Sequence, residues 1–383
     1  MAGLKQYRPA LAAFLLMMAM ALTTTGLSFF VGPVCAELGL GRGPFTVYYS
    51  LMTAAGTLAS PFLGPFIQHR GPAVVAGVSG IWAGLGLFCF SLCSRLEMFY
   101  LAGALTGIFG TACVTLCAGV VVQTSYRGRK ASSLTGIVMA GSGVGGMIVS
   151  LAIPGIIETW GWRMGYRASS LAWFSLALGA ALLLRGADAS YESGKNVPER
   201  GMTRREAVRS HRFYLLILLV FLLSAASGVQ QQLPSVLSGE LQNVSGAMSV
   251  FTAALALGKI GQGVLYGRIG PAKGGAVMVL CYGLGFALLG WGQPWPGLLL
   301  LAAGMGTVTT LMPIVTRHIF GGREYAAIWS ILSAFSNLGA MTAAPLFGLA
   351  FDLTGSYAGA VLAAAVLLVP ALMALMAVFR RQT

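Results

Sequence analysis

GPFIQHRGP at residues 64–72 and GVLYGRIGP at residues 263–271 are two copies of one short pattern, 199 positions apart. Gly64, Gly71 and Pro72 answer to Gly263, Gly270 and Pro271. A second set of matches runs at an offset of 194, where Gly128-Arg129 returns as Gly322-Arg323. At that offset Gly145 meets Gly339, Met147 meets Met341, Glu158 meets Asp352 and Gly161 meets Gly355. The offsets differ by five residues, which one small insertion or deletion explains. An ordered set of this kind points to an ancient duplication and predicts a chain of two related halves.

The composition says what each half is made of. Hydrophobic residues are 57% of the 383 positions and charged residues 9%, where a soluble domain carries roughly 25% charged residues. No soluble fold of this length hides so much apolar surface, so the solvent for most of the chain is lipid. A membrane span needs about 20 apolar residues. Twelve runs qualify: 10–34, 45–67, 73–93, 98–123, 131–154, 164–184, 213–237, 244–266, 274–291, 295–318, 325–349 and 357–379. The one long polar stretch, RGADASYESGKNVPERGMTRREAVRSHR (185–212), leaves six runs on either side. The expected organisation is therefore a bundle over 1–184, a linker over 185–212 and a second bundle over 213–383. The 53 glycines suit close helix packing in lipid.

Net charge is +14, but the placement of the basic residues makes it a topology signal. With an even number of spans, 19 of the 24 Lys and Arg fall on the side that holds both termini. The positive-inside rule assigns that side to the cytoplasm, and nucleic acid is not an expected partner. The first run follows Lys5 and Arg8, as a signal peptide would. It is too long for that and eleven more runs follow it, so it reads as the first span. The cysteines at 35, 89, 93, 113, 117 and 281 read as small packing residues, with no disulfide framework and no metal site.

A glycine, three residues, an Asp-Arg type pair, one residue and a glycine between the second and third spans marks the major facilitator superfamily, which the chain resembles along essentially its whole length. Gln68 and Gly267 stand where that family usually has Asp, while Gly64, Gly71, Gly263, Arg268 and Gly270 remain. Trp160-Gly161-Trp162-Arg163 before the sixth span is similar to another family pattern. Within the superfamily the chain looks most like the monocarboxylate transporter and oxalate:formate antiporter branch. The stretches that carry this are GLSFFVGPVCAELGLGR (26–42), SYRGRKASSLTGIVMAGSGVGG (125–146), GKIGQGVLYGRIG (258–270) and GREYAAIWS with PLFGLAFDLTGSY (322–357). The resemblance implies an all-α fold of twelve helices in two pseudo-symmetric bundles. It also implies a multi-pass protein of the plasma or inner membrane that works as a monomer without a cofactor. The expected substrate is a small organic anion, carried with a proton or against a counter-anion.

Lys259 is the most informative single residue, because it lies well inside the eighth span, between Gly258 and Gly261. A charge at that depth costs ~2.5 kcal/mol or more and usually faces a water-filled cavity. In the branch it resembles, this position often holds an arginine that binds the substrate carboxylate. The bland alternative is a lysine snorkelling to the interface. Position 255, where proton-coupled relatives tend to carry a carboxylate, is Leu255, and Leu332 stands where oxalate exchangers carry a second cation. One cation argues for a substrate with a single negative charge.

Polar candidates for the same cavity are Thr111 and Thr115 on the fourth span, Gln230 and Gln231 on the seventh, and Ser333 and Asn337 on the eleventh. The alternative reading of each is an interhelical hydrogen bond, worth roughly 0.6 kcal/mol. Phe29, Phe30, Tyr48 and Tyr49 cluster at the outer ends of the first two spans, as gate, lining or aromatic belt. Arg70 and Arg268 are expected to hold the cytoplasmic helix ends together. GSGVGG (141–146) superficially resembles a dinucleotide loop. It lies inside a span with no strand before it, so packing through Gly141 and Gly145 is the better reading. Export of amphipathic or drug-like compounds is the alternative function. A sensor would be expected to carry an output domain, a channel a pore loop, and an enzyme a deep histidine or carboxylate, and none of these is visible.

Overall fold

The computed structural model describes residues 6–185, 201–238, 241–354 and 357–380. Almost everything in it is helix, because lipid offers no partner for a free backbone group and a helix satisfies each one internally. The first apolar run forms α1 (Arg8–Thr24), a 3-10 turn over Gly26–Phe30 and α2 (Val31–Leu38). There follow α3 (Arg42–Arg70), α4 (Pro72–Leu92), α5 (Leu96–Phe109), α6 (Thr111–Ser125) and α7 (Gly128–Arg185). After the linker come α8 (Arg204–Arg209), α9 (His211–Ser227), α10 (Val229–Ser238), α11 (Val244–Ile269) and α12 (Pro271–Gly290). The chain closes with α13 (Pro294–Met305), α14 (Thr307–Phe320), α15 (Tyr325–Thr354) and α16 (Ala358–Phe379).

Among the described residues, eight helices are long and apolar enough to cross a membrane. Three of the expected runs look different for local reasons. The run 98–123 is α5 and α6, broken at Gly110, where ψ falls to −95°. The run 213–237 is α9 and α10, separated at Gly228. The runs 131–154 and 164–184 are both in the 58-residue α7, kinked at Gly161 with φ of 80°. The short α8 opens with a capping box, in which Thr203 accepts from the Glu206 N–H and Glu206 accepts from the Thr203 N–H. Both halves of the repeated loop pattern take the same turn. Gly71 and Gly270 have φ of 81° and 85°, which favours glycine, and Pro72 and Pro271 follow at the first helical position.

The helices fall into two compact units. The first holds the described parts of 1–125, 140–200 and 322–331, and the second those of 126–139, 201–321 and 332–383. The starts of α7 and α15, which are repeat-related at the 194 offset, thus each cluster with helices from the other end of the chain.

In the first unit an aromatic core gathers Phe30, Tyr48, Phe90, Phe99, Trp162 and Tyr166, with Phe30 stacked on Tyr166 at 3.8 Å between centroids. Glu37 at the end of α2 accepts a 2.7 Å hydrogen bond from the Trp162 indole and pairs with Arg163, whose guanidinium lies 4.2 Å from the Trp162 ring centre. Gly141 and Gly145 let α7 approach α1. A Cβ at Gly141 would stand 2.8 Å from the Phe14 carbonyl oxygen, and one at Gly145 2.9 Å from Met18 Cα. The second unit repeats this contact, since a Cβ at Gly339 of α15 would stand 3.2 Å from Phe221 Cα of α9. Large side chains such as Leu58, Phe62 and Leu151 are exposed, as a lipid solvent permits.

Candidate functional site

Lys259 stands in the middle of α11, nine residues before Arg268. At 1.5 Å per residue it is about 14 Å from that end of the helix. Its side chain is half-buried, and the Nζ donates to the Met139 carbonyl of α7 at 3.4 Å. The stem runs past Gly306, where a Cβ would stand 2.8 Å from Lys259 Cγ. A turn further along α11, Gln262 is buried. Its amide donates to the Ala303 carbonyl and, at 3.4 Å, to the Thr307 hydroxyl. The lysine therefore lies against the Met139 carbonyl and Gly306, with no room for a larger neighbour at 306. A compact ammonium is a point charge whose hydrogen bonds to a carboxylate are shorter and stronger than neutral ones.

The other expected residues divide between the units. Gln230, Ser333 and Asn337 share the second unit with Lys259: Gln230 is exposed, Ser333 buried and Asn337 half-buried. Thr115, Phe29 and Tyr49 are in the first unit and are half-buried. The Thr115 hydroxyl donates to Met20 Sδ at 3.0 Å. Of the two aromatic pairs, Phe30 and Tyr48 enter the core while Phe29 and Tyr49 keep partial exposure. The side chains of Thr111 and Gln231 lie outside the described residues. Reading residue types missed Gln262, and on α15 it missed Ser336, whose hydroxyl meets that of Ser224 on α9 at 2.7 Å. The spacing Lys259–Gln262–Tyr266 was the available signal for the first, because it repeats every three to four residues along one helix face.

The repeated loops, taken one at a time, carry the other expected residues. Gly64 of α3 packs on α15 so closely that a Cβ would stand 2.7 Å from Ser330 Cβ and closer still to the Ala326 carbonyl oxygen. One turn on, Gln68 donates its amide to the Arg323 carbonyl at 2.8 Å. Gly263 of α11 packs on the start of α7, where a Cβ would stand 2.7 Å from the Ser132 carbonyl oxygen and 2.8 Å from Gly136 Cα. Gly267 lies over Arg129, 2.9 Å from its Cγ and 3.1 Å from its carbonyl oxygen by the same measure. Arg70 and Arg268 are exposed, and Gly71 and Gly270 form the turns beside them. Within each unit the loop contacts are thus made by glycines, with one glutamine in the first.

A family model described as Major Facilitator Superfamily matches residues 10–302. An "MFS-type transporter" of Gibberella moniliformis (strain M3125 / FGSC 7600) is 26% identical over 313 residues, covering 78% of this chain and 74% of that protein. The "Fujikurins efflux protein" of Gibberella fujikuroi (strain CBS 195.34 / IMI 58289 / NRRL A-6831) is 27% identical over 222 residues, 57% of this chain and 45% of its own length. Among solved structures, the human organic anion transporter MFSD10 (TETRAN) superposes with a TM-score of 0.71 at 16% identity, covering 97% of this chain and 99% of that one. A variant of the E. coli fucose:proton symporter FucP gives 0.74 at 12%, covering 98% and 100%.

Proposed function

The chain belongs to the Major Facilitator Superfamily, a family of transporters and not of enzymes, and from that premise we propose that it carries a small organic anion, a monocarboxylate, by alternating access. In this reading twelve spans form two six-helix bundles, over 1–184 and 213–383, with residues 185–212 and both termini in the cytoplasm. The bundles rock about a central site. Lys259 makes the anion contact, helped by Thr111, Thr115, Gln230, Gln231, Ser333, Asn337, Phe29 and Tyr49. The loops bearing Gly64, Arg70, Gly71, Gly263, Arg268 and Gly270 close the cytoplasmic end. One observation carries the substrate class: a lysine at mid-helix whose ammonium donates to a neutral carbonyl at 3.4 Å. An ammonium has three donors, so that bond is compatible with a carboxylate ligand, and a deep charge in lipid is rarely kept without a function.

Purified protein in proteoliposomes tests the reading through uptake of labelled monocarboxylates. Lys259→Ala is expected to lower uptake at least about tenfold, in line with the ~1.5–3 kcal/mol of a charged hydrogen bond. Full uptake by that variant rejects the residue. A second reading, export of an amphipathic product, is favoured by the name of the fungal efflux relative. Thermal-shift screening separates the two, because stabilisation by carboxylates over hydrophobic cations supports the first and the reverse supports the second.

A further inference from the structure

The last part of the linker, from Gly201 onward, is built into the second unit. The Met202 N–H donates to the Phe320 carbonyl at 2.8 Å, and Gly201 pairs with Gly321 as an antiparallel bridge. The Thr203 capping box then starts α8, and Ser210 caps α9 by accepting from the Arg212 N–H. Phe213 meets Phe320 edge to face, 6.1 Å between centroids, and His318 lies 5.7 Å from the Phe379 ring. These contacts gather α8, the start of α9 and the ends of α14 and α16 at one end of that unit.

The end so assembled is strongly basic. Arg204, Arg205 and Arg209 on α8 and Arg380 after α16 are exposed, and Arg212 and Arg317 are half-buried. Among the described residues at this end of the unit Glu206 is the one acid, and its carboxylate turns back to accept from the Thr203 N–H at 2.8 Å. The positive-inside rule asks only for basic residues near the ends of spans. It does not ask for three of them on a capped helix whose approach is tied by main-chain hydrogen bonds to a neighbouring helix end.

Depth decides what this patch meets. Arg212 stands two residues before the exposed Tyr214, and Arg380 four residues after the exposed Met376. At 1.5 Å per residue they lie about 3 and 6 Å beyond side chains that suit the interface and the hydrocarbon. A headgroup layer is about 5–8 Å deep on each side of the hydrocarbon core. The arginines thus stand at the level of lipid phosphates, and a guanidinium forks two hydrogen bonds onto a phosphate. In the proposed topology the leaflet is the cytoplasmic one, which carries anionic lipid.

We propose that this end of the second unit binds anionic phospholipid through the headgroup phosphates, with α8 lying along the headgroup layer. The lipid then holds the end of the linker against α9 and α14. The patch exists only while α8 is docked, so bound anionic lipid stabilises the folded unit by mass action. The site does not depend on which substrate is carried.

The test is thermal unfolding of the purified chain in neutral detergent, with phosphatidylglycerol, phosphatidylcholine of the same chains, or inorganic phosphate added. Phosphatidylglycerol is expected to raise the melting temperature above the phosphatidylcholine value, by less as salt screens the contact. Basic residues near an anionic surface contribute about alike. Arg204→Gln, Arg205→Gln and Arg209→Gln together should therefore remove about half of the rise and leave melting in phosphatidylcholine unchanged. Arg95→Gln, on the turn between α4 and α5 at the other ends of the spans, should leave the rise intact. Equal melting with the two lipids overturns the proposal. An equal rise with inorganic phosphate makes the ligand a free anion and overturns it too. A full rise in the triple variant, or the same loss per charge in Arg95→Gln, overturns the placement. If the triple variant melts lower in phosphatidylcholine, Arg209→Gln with Arg380→Gln decides, and a rise not cut by about a third overturns the site.

Discussion

The contact of Gly64 and Gln68 with α15 and the contact of Gly263 and Gly267 with α7 are two editions of one interaction. Gly64 answers to Gly263 and Gln68 to Gly267 at the 199 offset, while Ser132, Gly136 and Arg129 answer to Ala326, Ser330 and Arg323 at the 194 offset. Each glycine meets the corresponding residues of the other repeat: Gly64 faces Ala326 and Ser330, and Gly263 faces Ser132 and Gly136. The editions differ in chemistry. The α3–α15 contact has a serine side chain in it and a glutamine amide that donates to the Arg323 carbonyl at 2.8 Å. The α11–α7 contact is backbone on backbone, and it lies one turn from Lys259, whose own carbonyl borders Gly136. Where the resemblance leads one to expect a charged pair, there is a neutral hydrogen bond on one side and bare packing on the other. Packing is the stricter of the two, because two backbones at contact distance leave nothing that can rotate away.

The largest effect is therefore expected at Gly263. In Gly263→Ala the new methyl would fall 2.7–2.9 Å from atoms of Ser132 and Gly136, all of them main-chain. Overpacking of that kind costs about 1–3 kcal/mol, and no truncation of a neighbour relieves it. Gly64→Ala meets Ser330 Cβ at 2.7 Å as well as a carbonyl, so Ser330→Gly should recover part of its loss. Thermal unfolding in detergent measures both, and transport rates follow in proteoliposomes. An unchanged melting temperature for Gly263→Ala would show that the backbones are not that close. Full rescue of Gly64→Ala by Ser330→Gly would make the editions differ more than their geometry does.

These contacts explain how much was legible in the sequence. The repeat could be read because glycine tolerates no substitute at a turn such as Gly71 or Gly270, with φ of 81° and 85°, so the pattern keeps its marks. The membrane class was legible because apolar residues over a whole run outweigh any local exception. The break at Gly110 was hidden inside such a run, since hydropathy carries no information about one ψ angle. Lys259 was legible as a lone charge in an apolar run. Gln262 was not, because an amide's role depends on which carbonyl it faces, here Ala303, 41 positions away. The same holds for Glu37, whose partners Trp162 and Arg163 lie on the far side of the kink in α7.

A smaller change tests the side chain that distinguishes the α3–α15 contact. Gln68→Gly makes it resemble its partner and removes one hydrogen bond at an exposed site, about 0.5–1.5 kcal/mol. Gln68→Glu is the sharper variant, because a carboxylate cannot donate to the Arg323 carbonyl and is repelled by it. Glu should therefore melt below Gly. If both melt with wild type, the amide contributes nothing and the two contacts are energetically alike.

The smallest effect is expected at Gly267, the counterpart of Gln68. Its added Cβ would meet Arg129 Cγ at 2.9 Å and the Arg129 carbonyl oxygen at 3.1 Å. The closer of these atoms belongs to a flexible side chain, so Arg129 can yield by a rotamer change at little cost. Against that stands a gain, because alanine is favoured over glycine inside a helix by about 0.5–1 kcal/mol, and Gly267 lies within α11. The two nearly cancel, and Gly267→Ala should melt within roughly 0.5 kcal/mol of wild type. The same propensity gain is available at Gly263, four residues earlier on the same helix. The difference between the two alanine variants therefore isolates the cost of pressing a methyl between two backbones. Equal melting of the pair would mean that α11 can slide on α7, and the stricter contact would then be the one through Gln68.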